Sequence, residues 1–305
     1  FKKLLKVNLT PNEVQDDVFI RLGDSYFATR NYGEAIKSYQ TVVTNLGSGA
    51  DYAQYQIGMS HGFRNENDSK IRALSKVVND FQISSLKDDA LYQLANTYTK
   101  TKNHEKAHRA YNRLLEKYPK SSFLPRALVR QGLLYYSNNQ NPEAIERFKL
   151  TANKYPNTPD AIEAVRNAKN IYLDEDNFDE YVAWVQTLQF INVSQSEAEN
   201  SSFTIAERKY FENKNHSGII FSLKKYLTKF PKGPNFLKAN YYLADILFKE
   251  KQFDKAIVNY NIILKAGITP FSEDTLAKLS QIYLEKQKFQ DALPLLERLE
   301  KLSSP

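Results

Sequence analysis

The chain has 305 residues, of which 42% are hydrophobic and 25% charged, so it has enough apolar surface to bury a core and does not match the composition of a disordered or fibrous protein. Ten glycines and eleven prolines supply few tight turns, which favours a mostly helical protein, and no apolar run approaches the roughly 18 residues that a transmembrane helix requires. The absence of cysteine excludes disulfides, thiol nucleophiles and cysteine-bound metals. The net charge of +7 comes from interspersed lysines, arginines and carboxylates, and not from the basic stripe that is typical of nucleic-acid binding.

The first predicted element is a helix over residues 1–7, with Phe1 and Leu4 on its apolar face. The polar stretch at residues 8–12 ends this helix. Its pattern is that of the second helix of a hairpin whose first helix is missing. We therefore interpret residues 1–15 as the second helix of a truncated preceding repeat, followed by a linker.

From residue 16 onward, apolar residues recur as two helices joined by a short polar break. The clearest copy covers residues 88–121, where Lys102-Asn103 forms the break and Tyr118-Pro119 ends the second helix. Its apolar and small residues are spaced three or four apart, as expected for one face of a helix. They are Leu91, Leu94, Ala95 and Tyr98 before the break, and Ala107, Tyr111 and Leu114 after it.

The same pattern occurs about eight times in succession, with a period of about 34 residues or slightly more. Small residues let the two helices of a copy approach closely, and no hairpin can bury its apolar face alone. The sequence therefore predicts one continuous array over residues 16–305 rather than two domains. The predicted copies are 16–49, 51–84, 88–121, 125–158, 162–195, 200–233, 237–270 and 273–305.

The fifth copy departs from the pattern. Lys169 stands at the small position of its first helix, Tyr181 at that of its second helix, and no Tyr-Pro pair follows. We expect the hairpin packing to change locally near residues 185–203, and the sequence leaves open whether this irregular region has a function.

The recurrence of Leu-Gly, Tyr, Ala and Tyr-Pro at these offsets resembles the tetratricopeptide repeat family, and the resemblance covers essentially the whole chain. It implies an all-α fold, a right-handed superhelical solenoid of helical hairpins whose first helices line the concave side. It also implies a non-catalytic scaffold or adaptor that binds protein partners, with no catalytic residues, no cofactor, no metal and no small-molecule substrate.

Three short sequence motifs resemble those of repeat proteins of the bacterial cell envelope. They are Lys117-Tyr118-Pro119, Lys154-Tyr155-Pro156 and Lys229-Phe230-Pro231. The resemblance implies a periplasmic or outer-membrane-associated protein that takes part in envelope assembly or secretion, with the cytoplasm as the alternative compartment.

The non-core positions of the middle first helices predict a binding groove for a protein or peptide of acidic character. Arginine offers a planar donor fork for carboxylates, asparagine can bind a peptide backbone, and tyrosine adds apolar area at little entropic cost. The predicted groove residues are Tyr92, Gln93, Asn96, Lys100, Arg126, Arg130, Arg166, Asn167 and Asn170.

Two other functions stay open as alternatives. His104, Glu105 and His108 form an H-E-x-x-H motif, the spacing of a zinc-dependent hydrolase. The motif coincides with the ordinary start of a second helix, and neither of the two remaining histidines lies at the spacing of a third ligand. A nucleic-acid-binding repeat protein is the other alternative, based on the positive charge and the arginines of the groove.

Overall fold

The computed structural model describes residues 12–303, and its regular elements there are all α-helices. The predicted all-α class is thereby confirmed. The predicted helix over residues 1–7 lies outside the described residues. The helices are α1 (Asn12–Ala28), α2 (Tyr32–Thr44), α3 (Ala50–Phe63), α4 (Asn67–Asp80), α5 (Lys87–Lys100), α6 (His104–Lys117), α7 (Leu124–Ser137), α8 (Asn141–Lys154), α9 (Pro159–Asp174), α10 (Phe178–Val185), α11 (Gln195–Glu212), α12 (His216–Lys229), α13 (Phe236–Lys249), α14 (Phe253–Lys265), α15 (Ser272–Glu285) and α16 (Phe289–Ser303).

The chain forms two compact units, Phe1–Ala168 and Lys169–Pro305. Each predicted copy corresponds to a successive pair of helices, although α1 begins at Asn12, so residues 12–15 are helical rather than part of a linker. The single array over residues 16–305 stays a prediction. No helix within residues 12–303 combines the length and the apolar character needed to cross a bilayer.

Each hairpin turn contains one residue in the left-handed backbone region. At the turn between α5 and α6, Lys102 has a φ of 57°, and the backbone N–H of Asn103 donates to the carbonyl of Tyr98 over 2.9 Å. This geometry ends the first helix and satisfies one of its terminal carbonyls. The corresponding turn residues are Arg30, Asn65, Lys102, Asn139, Asp176, Asn213, Lys251 and Gln287.

Lys102→Gly is therefore expected to raise the free energy of unfolding by about 0.5–1 kcal/mol, because a lysine in the left-handed region is strained and glycine is not. Urea-induced unfolding followed by circular dichroism would measure the change. Asn139→Gly is the matched control at a φ of 59°. It should change stability less, since asparagine tolerates this region. A stabilisation no larger for Lys102→Gly than for Asn139→Gly would contradict the argument.

In the first and fourth hairpins the two helices pack through a glycine that faces an aromatic ring sixteen positions later. A Cβ atom added at Gly132 would lie 2.6 Å from Cε1 of Phe148, a ring with no solvent exposure. Gly23 stands in the same relation to Tyr39, where the distance would be 2.5 Å. The small residue thus provides the space that the ring fills, and this contact fixes how closely the helices approach.

The fifth hairpin solves the same packing problem differently. Lys169 takes the small position, and Val185 stands sixteen residues later in place of a ring. The Nζ of Lys169 lies 2.5 Å from the Oε1 of Glu197 on α11. The second helix, α10, spans only eight residues, and the chain is not helical again until Gln195. The first part of the predicted irregular region, residues 186–194, is therefore a non-helical connection after a shortened helix, whereas residues 195–203 belong to α11.

In the second unit, a buried ion-pair network joins α11, α13 and α15. The side chain of Asp245 is 3% exposed and accepts from the hydroxyl of Tyr210 (2.8 Å), from the Nζ of Lys249 (2.7 Å) and from the Nζ of Lys278 (2.6 Å). Burial alone would raise the pKa of Asp245, but the hydrogen bonds from these donors outweigh it and hold the pKa below its usual value. Asp245 is thus fully engaged in holding three repeats together.

Candidate binding cleft

A cleft of about 510 Å³ lies between the first helices α5 and α7, with part of α6 as its floor. We call it the α5–α7 cleft. Four of the nine predicted groove residues line it: Tyr92, Asn96, Lys100 and Arg130. The complete lining is Tyr92, Asn96, Thr99, Lys100, Tyr111, Arg130, Leu133, Leu134 and Ser137.

The floor of the cleft is held by internal contacts. Tyr92 is 8% exposed, and its ring stacks on Phe123 with centroids 5.2 Å apart. The hydroxyl of Tyr111 donates to the Oδ1 of Asn96 over 2.8 Å. Burial raises the pKa of Tyr111 well above its usual value, so this hydroxyl stays protonated and remains a donor. The Oδ1 of Asn96 is thereby engaged, while its Nδ2 makes no hydrogen bond within the described residues.

The rim of the cleft is positively charged. Arg130 is exposed and forms no ion pair within residues 12–303. Lys100 is also exposed, and its Nζ donates to the side-chain oxygen of Asn65 over 3.2 Å, a neutral partner. None of the residues lining the cleft is a carboxylate. The cleft therefore combines two uncompensated cations with an aromatic and aliphatic floor.

The remaining predicted groove residues of the first unit do not line this cleft. Gln93 accepts from the Nζ of Lys70 over 3.1 Å, so its carbonyl is already engaged. The Nε of Arg126 lies 3.5 Å from the Oδ1 of Asp160, and the Arg126 side chain is 59% exposed. Arg166 is exposed and Asn167 is half-buried, both on α9.

Asn170 belongs to the second unit, where it is exposed near the end of α9. The structure thus brings together one part of the predicted strip, on α5 and α7.

Several lining residues were absent from the predicted set. Thr99 lies three positions after Asn96, while Leu134 and Ser137 lie four and seven positions after Arg130, which places them on the same helix faces. Helical spacing could have identified these three. Tyr111 could not have been found in this way, because it belongs to α6, the helix that forms the floor of the cleft.

Two residues of the H-E-x-x-H motif make contacts with neighbouring side chains. Glu105 pairs with Arg109, one turn further along α6. His108 packs on the ring of Tyr135 with centroids 4.2 Å apart, and both of its ring nitrogens are buried without a hydrogen-bond partner. Burial, with smaller contributions from His104 and Arg147, lowers the pKa of His108. Within residues 12–303, no group of three or more histidines and carboxylates is placed to hold a metal ion.

Successive helical hairpins of similar length, with neighbouring first helices that form a cleft, define a helical-hairpin repeat protein. Sequence models of the tetratricopeptide repeat match residues 16–44, 89–121 and 126–158. The chain therefore contains tetratricopeptide repeats. This fold supports a role as a protein-interaction scaffold.

Several solved structures are similar to the chain. A tetratricopeptide repeat protein from Parabacteroides merdae is 14% identical, with 88% of this chain and 98% of that chain covered and a TM-score of 0.48. MamA is 18% identical, with 66% and 96% covered and a TM-score of 0.47. The structure of Naa15/Naa10 bound to HypK-THB is 13% identical, with 88% and 39% covered and a TM-score of 0.52. No curated protein sequence matches the chain.

Proposed function

We propose that the chain is a non-catalytic scaffold or adaptor that holds an acidic peptide segment of a partner protein in the α5–α7 cleft. One observation carries this proposal: Lys100 and Arg130 line the cleft without any carboxylate to neutralise them. A negatively charged segment is the partner that such a rim attracts.

Each part of the lining has a distinct task. The guanidinium of Arg130 can donate two parallel hydrogen bonds to one carboxylate, whereas the ammonium of Lys100 acts as a point charge that tolerates several geometries. The Nδ2 of Asn96 can donate to a peptide carbonyl. Leu133 and Tyr92 supply apolar area for the side chains between the acidic ones. The cleft therefore favours a peptide in which acidic and apolar residues alternate on one side.

The same proposal places the protein in the bacterial cell envelope, in the periplasm or associated with the outer membrane, as part of an assembly or secretion complex. This location is supported by the Lys-Tyr-Pro and Lys-Phe-Pro motifs at residues 117–119, 154–156 and 229–231, which resemble those of envelope repeat proteins. A partner recovered from envelope extracts and not from cytosolic extracts is the result expected.

Arg130→Glu is expected to weaken binding of acidic peptides, because it reverses the charge of the arginine that lines the cleft and has no ion-pair partner among the described residues. We expect a loss of at least about tenfold in affinity. Fluorescence anisotropy would compare labelled peptides containing alternating glutamate and leucine with counterparts in which glutamine replaces glutamate. Affinity capture from envelope and cytosolic extracts, followed by mass spectrometry, would use the same variant.

Arg113→Glu is the matched control. Arg113 lies on the second helix α6, away from the cleft lining, and donates to the side chain of Asn79 over 3.2 Å. It makes the same charge change without touching the proposed site. Equal loss in both variants would show that only net charge matters, and unchanged binding by Arg130→Glu would remove the cleft from the proposal.

A further inference from the structure

A second pocket, of about 500 Å³, lies in the second unit beside the first turns of α11 and the connection between α12 and α13. We call it the Glu199 pocket. Glu199 is the one carboxylate among the residues that line it. The lining consists of Gln195, Ser196, Glu199, Lys229, Phe230, Pro231, Lys232, Gly233 and Pro234.

Glu199 is a buried carboxylate with one oxygen engaged and one unused. The residue is 3% exposed. Its Oε1 accepts from the hydroxyl of Tyr226 and from the Nδ2 of Asn235, the latter over 3.1 Å. Its Oε2 is buried and has no hydrogen-bond partner. Both donors are neutral, and Glu199 forms no ion pair within residues 12–303, so its charge is not compensated by the protein.

This arrangement is specific to one copy of the repeat. When residues 200–233 are aligned with 88–121, Tyr226 stands where the earlier copy has Leu114, and Glu199 stands where it has Lys87. The hydroxyl of Tyr226 enters the core and requires an acceptor, which Glu199 supplies. A Cβ atom at Gly233 would lie 2.8 Å from that hydroxyl and 3.0 Å from the Oε1 of Glu199. The absence of a side chain at Gly233 therefore leaves room for the pair.

The nearby lysines do not neutralise Glu199. The Nζ of Lys229 lies 2.7 Å from the Oδ1 of Asp179, so its charge is already paired. Lys232 is exposed and forms no ion pair within the described residues. Glu199 is a buried carboxylate beside a pocket, with one free oxygen and no ion-pair partner among the described residues, so the site is suited to a cationic ligand.

We propose that the Glu199 pocket binds a primary alkylammonium group, which donates to the Oε2 of Glu199. A guanidinium ion binds best to two free carboxylate oxygens, but the Oε1 is occupied, so a compact ammonium ion fits better. The exposed rings of Pro231 and Pro234 provide an apolar wall for the methylene stem behind the ammonium group. This site is in the second unit and is independent of the α5–α7 cleft.

The ammonium group can come from a lysine side chain of a protein or from a free diamine. N-acetyl-lysine methylamide and putrescine would each be titrated into the full chain. Binding would be measured from the backbone amide NMR shifts of residues 230–236. N-acetyl-norleucine methylamide lacks the ammonium group and N-acetyl-arginine methylamide replaces it with guanidinium. We expect saturable binding of the ammonium probes with a Kd on the order of millimolar, as for a single buried charge pair. Tighter binding of the lysine probe would indicate a protein partner, and tighter binding of putrescine a free diamine.

Glu199→Gln should weaken ammonium binding at least about tenfold, because it removes the charge while keeping an acceptor for Tyr226. Glu197→Gln is the matched control, since Glu197 lies on the same helix, pairs with Lys169 and does not line the pocket. Equal binding by the wild type and Glu199→Gln would overturn the proposal, as would equal binding of the norleucine probe or tighter binding of the arginine probe. The probe comparison uses the wild-type chain, so it decides even if Glu199→Gln fails to fold.

Discussion

Gly132→Val is expected to lower the free energy of unfolding by about 2–4 kcal/mol. Helix propensity alone predicts that replacing this glycine stabilises the fold, since glycine inside a helix costs about 1 kcal/mol relative to alanine. The structure reverses this expectation because a Cβ atom would lie 2.6 Å from the buried ring of Phe148, and overpacking a rigid core typically costs about 1–3 kcal/mol. The β-branch adds further overlap. Urea-induced unfolding followed by circular dichroism would measure the loss.

Two further variants test the cause. Phe148→Val in the Gly132→Val background should recover part of the stability, because the fifth hairpin accommodates Lys169 opposite Val185 in the same way. Gly62→Val is the matched control, since a Cβ atom there would meet the flexible side chain of Lys70 at 2.9 Å, which can move. We expect a loss below about 1 kcal/mol for Gly62→Val. A loss as large as that of Gly132→Val would mean that the helix, and not the ring contact, is responsible.

The hairpins were predictable from sequence because their apolar spacing repeats at fixed intervals and each copy supports the interpretation of the next. The pairing of Gly132 with Phe148 was less visible, since it depends on contacts between two helices and not on spacing within one. The left-handed residues of the hairpin turns could not be predicted from sequence either. Lys102 and Lys251 adopt the left-handed region, where glycine or asparagine is the usual signal.

The cleft was predictable only in part. Periodicity identifies the first-helix positions that avoid the core, and three of the residues it selected, Asn96, Lys100 and Arg130, line one cleft. It could not show that Lys70 already engages Gln93, because those residues are 23 positions apart and belong to different repeats. The Glu199 pocket went unnoticed for the same reason. Its free oxygen becomes apparent only when both hydrogen-bond donors of Glu199 are known.

Lys278→Met is expected to lower the free energy of unfolding by about 2–4 kcal/mol at neutral pH. Removing this lysine leaves the buried carboxylate of Asp245 with fewer donors, and breaking a buried ion pair by deleting one partner typically costs about 3–5 kcal/mol. Lys249, which is 2.7 Å from the same carboxylate, limits the loss. Lys286→Met is the matched control, because Lys286 lies 2.5 Å from Asp254, whose side chain is 88% exposed. An exposed pair of this kind contributes at most about 1 kcal/mol.

The pH dependence separates the ion pair from simple packing. Because the pKa of Asp245 is held below its usual value in the folded state, the unfolded state takes up a proton first as the pH falls. The stability that the ionised carboxylate contributes is therefore complete above the unfolded pKa of about 3.9 and is lost as the pH falls through the lower folded value. The difference between wild type and Lys278→Met should shrink in that acidic window, as measured by urea unfolding at a series of pH values. A difference that stays constant from neutral to acidic pH would show that Lys278 stabilises the fold through its methylene chain and not through its charge.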